Sequence, residues 1–175
     1  MNSHQIRFDA DLIRRYDRAG PRYTSYPTAV QFTDKFGLNE YRAAAMASNQ
    51  DPIPRPLSLY VHIPFCSSPC FYCGCTKVIT RNHEKAEAYL YRLHREIELQ
   101  SPLYDRDREV EQLHFGGGTP TFLTSLEIDR LIGKLGDHFK LSRDPDREYS
   151  IELDPRTITR DTLRDLAKVG FNRCS

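Results

Sequence analysis

The chain of 175 residues carries 25 Lys and Arg against 24 Asp and Glu, with 39% hydrophobic and 28% charged residues. That length buries a core without cross-links, and 9 Gly and 11 Pro scattered through the sequence exclude disordered, collagen-like and low-complexity classes. The even charge balance leaves no electrostatic footprint for nucleic acid or an anionic lipid surface. Neither the opening MNSHQIRFDADLIRR nor any later stretch offers a signal-peptide apolar region or the ~20 apolar residues that span a bilayer, so a cytoplasmic location is expected.

Leu12, Ile13 and Tyr16 stand at helical spacing in residues 9–18, and Asn39 is placed to cap a second helix through EYRAAAMAS. The intervening PRYTSYPTA, rich in proline and aromatics, reads as an extended segment, and DPIPRP at 51–56 as a linker. From Leu57 the pattern alternates, with Leu57, Leu59, Val61 and Ile63 on one face and Ser58, Tyr60 and His62 on the other, which predicts a strand running into a cysteine-rich loop. Ala86, Leu90, Leu93 and Ile97 then mark an amphipathic helix over 82–100. VEQLHF (110–115) predicts a second strand ending in three glycines. The capping box Thr124-x-x-Glu127 opens a second helix whose stripe is Leu131, Ile132, Leu135 and Phe139. YSIEL (149–153) predicts a third strand, TRDTLRDLAKVG a third helix closed by Gly170, and FNRCS the start of a fourth strand. The order βαβαβα predicts a parallel α/β sheet, either open or part of a barrel. Chemistry-bearing residues follow each strand, at the edge where such sheets bind ligands.

Four of the five cysteines, Cys66, Cys70, Cys73 and Cys75, lie within ten residues, in HIPFCSSPCFYCGC. In a chain without a secretory signal such a cluster points to metal-binding thiolates rather than disulfides. Three closely spaced thiolates suit an iron–sulfur cluster with one iron left open. A closed zinc site needs a second cysteine pair, for which only His62 or His83 could substitute. A zinc knuckle and unliganded thiols are the plainer alternatives. Cys174 stands apart and reads as a small buried apolar residue.

The C-x3-C-x2-C spacing after a first strand, with an aromatic residue before the third cysteine, resembles the signature of the radical S-adenosylmethionine (SAM) superfamily. LSLYVHIPFC, CFYCGCTKVITR, HFGGGTPTFL and RYTSYPTA narrow the resemblance to the oxygen-independent coproporphyrinogen III oxidases, and it extends from about Arg22 to Ser175. The resemblance implies an α/β fold, the N-terminal part of a partial (β/α)6 barrel of about three βα units, with residues 1–56 a helical and extended segment and 57–175 an incomplete radical SAM domain. It further implies a 4Fe-4S cluster on Cys66, Cys70 and Cys73, and two SAM molecules. An electron from the cluster cleaves a carbon–sulfur bond of SAM, and the resulting 5′-deoxyadenosyl radical abstracts a substrate hydrogen. The family converts propionates of rings A and B of coproporphyrinogen III to vinyl groups, giving protoporphyrinogen IX in haem synthesis.

By the same resemblance Tyr60 and Tyr72 line the first SAM site, Gly117 contacts that SAM, Gly118 and Thr119 lie nearer the second, and Glu152 accepts hydrogen bonds from ribose hydroxyls. Apart from the resemblance, Tyr60, Tyr72 and His62 read as core packing, Glu152 as a strand-end carboxylate and the glycines as a tight turn. Arg22 is a candidate partner for substrate carboxylates, set against an ordinary surface arginine. A porphyrinogen substrate and an electron donor are the expected partners, with no nucleic acid or membrane, and a monomer at full length. Two rival readings are a haem chaperone relative, against which Gly74-Cys75 and RYTSYPTA argue, and a non-catalytic metal-binding fragment. Family members continue well beyond residue 175, so this polypeptide alone is expected to be inactive.

Overall fold

The structure is a computed structural model that describes residues 8–17, 28–70 and 73–175. It divides into a unit of residues 1–39 and a unit of residues 40–175. In the first, α1 (Ala10–Tyr16) is capped by Asp9, whose carboxylate accepts from the Asp11 and Leu12 amides; it buries no residue. The helix α2 (Leu38–Ala47) begins one residue before Asn39, so Asn39 lies inside its first turn instead of capping it.

The second unit is built on a parallel sheet. Its main path runs β1 (Leu57–Ile63), β4 (Glu109–Gly117), β6 (Glu148–Ile151) and β7 (Arg173–Cys174), and β5 (Lys140–Leu141) pairs with the start of β4. A separate parallel pair joins β2 (Phe65–Cys66) to β3 (Val78–Ile79) and closes the cysteine loop at its base. The crossover helices are α3 (Glu84–Gln100), α4 (Ser125–His138) and α5 (Arg160–Lys168). Both hydrogen bonds of the Thr124–Glu127 capping box form, and Thr159 caps α5. Phe139, expected on the helical stripe of α4, is the residue that ends it: its backbone is extended and its ring stays in the core. Gly170 closes α5 with φ of +113°.

One sheet face is apolar and covered. Val61, Ile63, Leu113, Phe115, Tyr149 and Ile151 pack against Ala86, Leu90, Leu93 and Ile97 of α3, Ile128, Leu131 and Leu135 of α4, and Leu166 of α5. Burial of these side chains is the main stabilising term, at roughly 1.5–3 kcal/mol for each large one. Residues 40–56 dock onto the same unit through polar contacts. The Tyr41 hydroxyl donates to Gln100, Asn49 donates to the Leu103 carbonyl, and the Arg108 guanidinium reaches the Arg55 carbonyl, Ser48 and Asn49. Among the described residues no helix is long and apolar enough to cross a membrane.

Candidate functional site

Because successive side chains in a strand point to opposite faces, the face opposite the apolar core is built from residues of the other parity. Parallel pairing sets Tyr60 beside His114 and His114 beside Ser150 in one row across β1, β4 and β6. This row is polar. The Tyr60 ring stacks on the His114 imidazole at 5.7 Å and 21°, and its hydroxyl lies 3.1 Å from His62 Nδ1. His62 Nε2 is 3.0 Å from the Thr76 carbonyl oxygen. A carbonyl only accepts, so Nε2 carries the proton and Nδ1 accepts from Tyr60. His114 Nδ1 lies 2.6 Å from Ser150 Oγ and Nε2 3.4 Å from Glu152 Oε1. Glu152 follows β6 directly, and its amide donates to the Phe115 carbonyl, prolonging the ladder by one bond.

The three glycines at the end of β4 each make room for something different. A Cβ on Gly116 would lie 2.8 Å from His114 Nε2 and 3.1 Å from Glu152 Oε1. On Gly117, where φ is +112°, it would lie 2.5 Å from the His62 ring, and on Gly118 2.6 Å from the Phe65 carbonyl oxygen. With those atoms absent the backbone bonds directly to its neighbours. Gly117 N–H donates to Glu152 Oε2 at 3.0 Å, Gly118 N–H to the Ile63 carbonyl at 2.8 Å, and Thr119 N–H to the Phe65 carbonyl at 2.8 Å. The Thr119 hydroxyl then sits 3.6 Å from Cys66 Sγ, joining the glycine turn to the cysteine loop.

Within that loop Cys66 is buried on β2, Cys73 is half-buried, and Cys70 and Cys75 are exposed. The Cys75 amide donates to Cys73 Sγ at 3.4 Å, which lowers the Cys73 thiol pKa; Lys77, whose ammonium donates to the Cys73 carbonyl, adds to the effect. Sharing a hydrogen bond with Cys73 pushes the Cys75 thiol up. Beyond β6, Arg156 grips Asp154 through bonds of 2.7–3.2 Å and holds that carboxyl down at about 2.

Cys66, Cys70 and Cys73 line one cavity of about 880 Å³ together with Gly117, Gly118, Thr119 and Glu152. Lys77, Arg81 and Arg156 add cationic groups to its wall. Among the described residues no three His, Cys, Asp or Glu side chains converge closely enough for a single metal ion. Three thiols on one cavity wall are the donor set of an iron–sulfur cluster that keeps one iron without a protein ligand. The donor set therefore fits an iron–sulfur cluster, and the remaining volume beside Glu152 and the glycines leaves space for an organic ligand.

The expected site residues Cys66, Cys70, Cys73, Gly117, Gly118, Thr119 and Glu152 are thus brought together, and Tyr60 joins them through His114, with its side chain 59% exposed. Tyr72 and Arg22 lie outside the described residues. Cys174, expected as a buried apolar residue, is exposed on β7, the last strand on the sheet's path. Sequence reasoning passed over His114 and Ser150. The signal is present in their parity, since His114 stands two residues before Gly116 on β4 and Ser150 two residues before Glu152, the residue that follows β6.

The radical SAM superfamily model matches residues 60–175. The chain is 52% identical over 170 residues to the oxygen-independent coproporphyrinogen III oxidase of Pseudomonas aeruginosa, covering 97% of this chain and 36% of that protein. It is 47% identical over 175 residues to the Escherichia coli protein of that name, covering 37% of it. A Mannheimia haemolytica protein of the same name is 47% identical over 151 residues, 86% of this chain and 99% of that one. The solved structure of the E. coli coproporphyrinogen III oxidase, described as a radical SAM enzyme, superposes with a TM-score of 0.78 at 46% identity over 97% of this chain and 36% of the other. The chain therefore spans little more than a third of the length of its Pseudomonas and Escherichia relatives.

Proposed function

The chain belongs to the radical SAM superfamily and, within it, to the oxygen-independent coproporphyrinogen III oxidases, and from that membership we propose that it forms the cluster- and SAM-binding part of an enzyme that oxidatively decarboxylates coproporphyrinogen III propionates to vinyl groups. The observation that carries this reading is the single cavity on whose wall three thiols, the glycine turn and Glu152 meet. Cys66, Cys70 and Cys73 are the thiolates for a 4Fe-4S cluster, with one iron left for SAM. Cluster and SAM supply a one-electron cleavage that yields a radical able to take a hydrogen atom from an unactivated carbon.

The chain's own residues bind and orient. Glu152 accepts from the ribose hydroxyls, Tyr60 and Tyr72 offer aromatic surface to the first SAM, and Gly117 lets the backbone approach it. Gly118 and Thr119 face a second SAM. Arg22 pairs with substrate carboxylates. The electron comes from a separate donor, and the complete protein works as a cytoplasmic monomer. The test is anaerobic reconstitution followed by metal and sulfide analysis and absorption spectroscopy with and without SAM. About four iron and four sulfide per chain, with a spectrum that changes on adding SAM, is the expected result. One zinc and no response to SAM would overturn the reading.

A further inference from the structure

We propose that His114 is a positioning residue that holds Glu152 in the one orientation able to receive a ribose diol, an inference that rests on the reading of Glu152 given above. An ionised carboxylate has two oxygens and about four lone-pair sites. One site on Oε2 is filled by the Gly117 amide at 3.0 Å, and one on Oε1 faces His114 Nε2 at 3.4 Å. One lone pair per oxygen is left over, which matches two neighbouring hydroxyl donors. With only the Gly117 bond the carboxylate would be held at one end and free to rotate about it.

The imidazole is itself held on two further sides. Ser150 Oγ, 2.6 Å from Nδ1, fixes the ring plane, and the Tyr60 ring covers one face. A carboxylate only accepts, so the Nε2 that faces Glu152 carries the proton, Nδ1 accepts from the Ser150 hydroxyl, and the ring presents a donor to the carboxylate. The parallel register places Tyr60, His114 and Ser150 side by side on three strands, so the support is made of rigid sheet. Gly116 is the independent observation. Its missing Cβ would fall 2.8 Å from His114 Nε2 and 3.1 Å from Glu152 Oε1, which is the space the pair occupies. The first glycine of the turn is thereby explained by the His114–Glu152 contact, and the ligand need not touch it.

The experiment uses the cluster-loaded protein as its gene encodes it and measures dissociation constants by equilibrium dialysis for SAM and for the SAM analogue lacking both ribose hydroxyls. His114→Leu is expected to weaken SAM about tenfold while changing the analogue less than about twofold. His114→Gln, whose amide can place a donor near the Nε2 position, recovers most of the loss. Glu152→Ala is expected to discriminate between the two ligands in the same way. If Glu152→Ala weakens SAM and the analogue alike, the ribose reading of Glu152 fails and takes the proposal with it. If Glu152→Ala discriminates but His114→Leu weakens both ligands equally, or neither, the ribose reading stands and the positioning role is overturned. Should His114→Leu fail to fold, by circular dichroism and iron content, Ser150→Ala replaces it: a smaller loss confined to SAM supports the proposal, and an equal loss for both ligands refutes it.

Discussion

Gly118 and Gly74 both flank cysteine-loop residues, yet the structure separates them sharply. A Cβ on Gly118 would sit 2.6 Å from the Phe65 carbonyl oxygen and 2.8 Å from the Pro64 carbonyl carbon, backbone atoms that cannot swing aside, while Gly74 has nothing within 4 Å. Gly118→Ala is therefore expected to push the turn away from β2, destabilising the fold by about 1–3 kcal/mol and reducing iron uptake. Gly74→Ala should leave both unchanged. Denaturant midpoints and iron content after reconstitution test the pair, and equal behaviour of the two variants would contradict the packing argument. The sequence marks GGGT as a turn, but the atoms that exclude a Cβ come from His114 and Glu152 at Gly116, from His62 of β1 at Gly117, and from Pro64 and Phe65, just past β1, at Gly118. The reason for each glycine becomes legible only once β4 is set in register between β1 and β6. Cys174 departs from the apolar expectation for a related reason: among the described residues β7 pairs with β6 alone, and the thiol is exposed.

The crossover helices were readable because their signals are local. The stripe Ala86, Leu90, Leu93 and Ile97 is buried as its spacing requires, and the Thr124–Glu127 box needs only four consecutive residues. The two-residue strands β2, β3 and β5 carry no periodicity and left no trace in the pattern. On α4, Gly133 is exposed with no atom within 4 Å of a built Cβ, so Gly133→Ala should stabilise by about 0.5–1 kcal/mol through helix propensity alone, read as a rise in melting temperature. Between α3 and α4, Glu98 accepts from Lys134 at 2.7 Å and from Arg95 at 3.0 Å. These bonds, Lys134 foremost, hold the Glu98 carboxyl down at about 2, below its ordinary 4.5. A depressed carboxyl contributes stability that is complete above the unfolded value and disappears as pH falls through the folded one. The stability difference between the wild type and Glu98→Gln should therefore be present at neutral pH and vanish as pH drops from about 4.5 toward about 2. Urea midpoints across that range check it, and a difference that persists at the acid end would remove the ion pair as its cause.

At the scale of the whole molecule, alternation along each strand shows which residues share a face, whereas register decides which of them meet. Tyr60 and Glu152 are therefore named one at a time, through the family resemblance, whereas the row Tyr60–His114–Ser150 needs the pairing of three strands. The same pairing sets the order of local stability. β4 bonds to β1 on one side and β6 on the other, and its Val110, Leu113 and Phe115 side chains are fully buried. By contrast α1 spans seven residues and buries none, with Leu12 and Ile13 each 53% exposed. A helix that short is marginal without packing. Amide hydrogen exchange should therefore be slowest along β4, at rates set by global unfolding, and fastest in α1, which opens without disturbing the core. β1, paired on one side in its sheet, should fall between them. Because the glycine turn is the end of β4 itself and Glu152 is bonded to it, the backbone of the turn is expected to share that strand's protection. Fast exchange at Gly117 in a protein with protected Leu113 would mean that the turn opens independently of the sheet, and the rigid support argued for Glu152 would be lost.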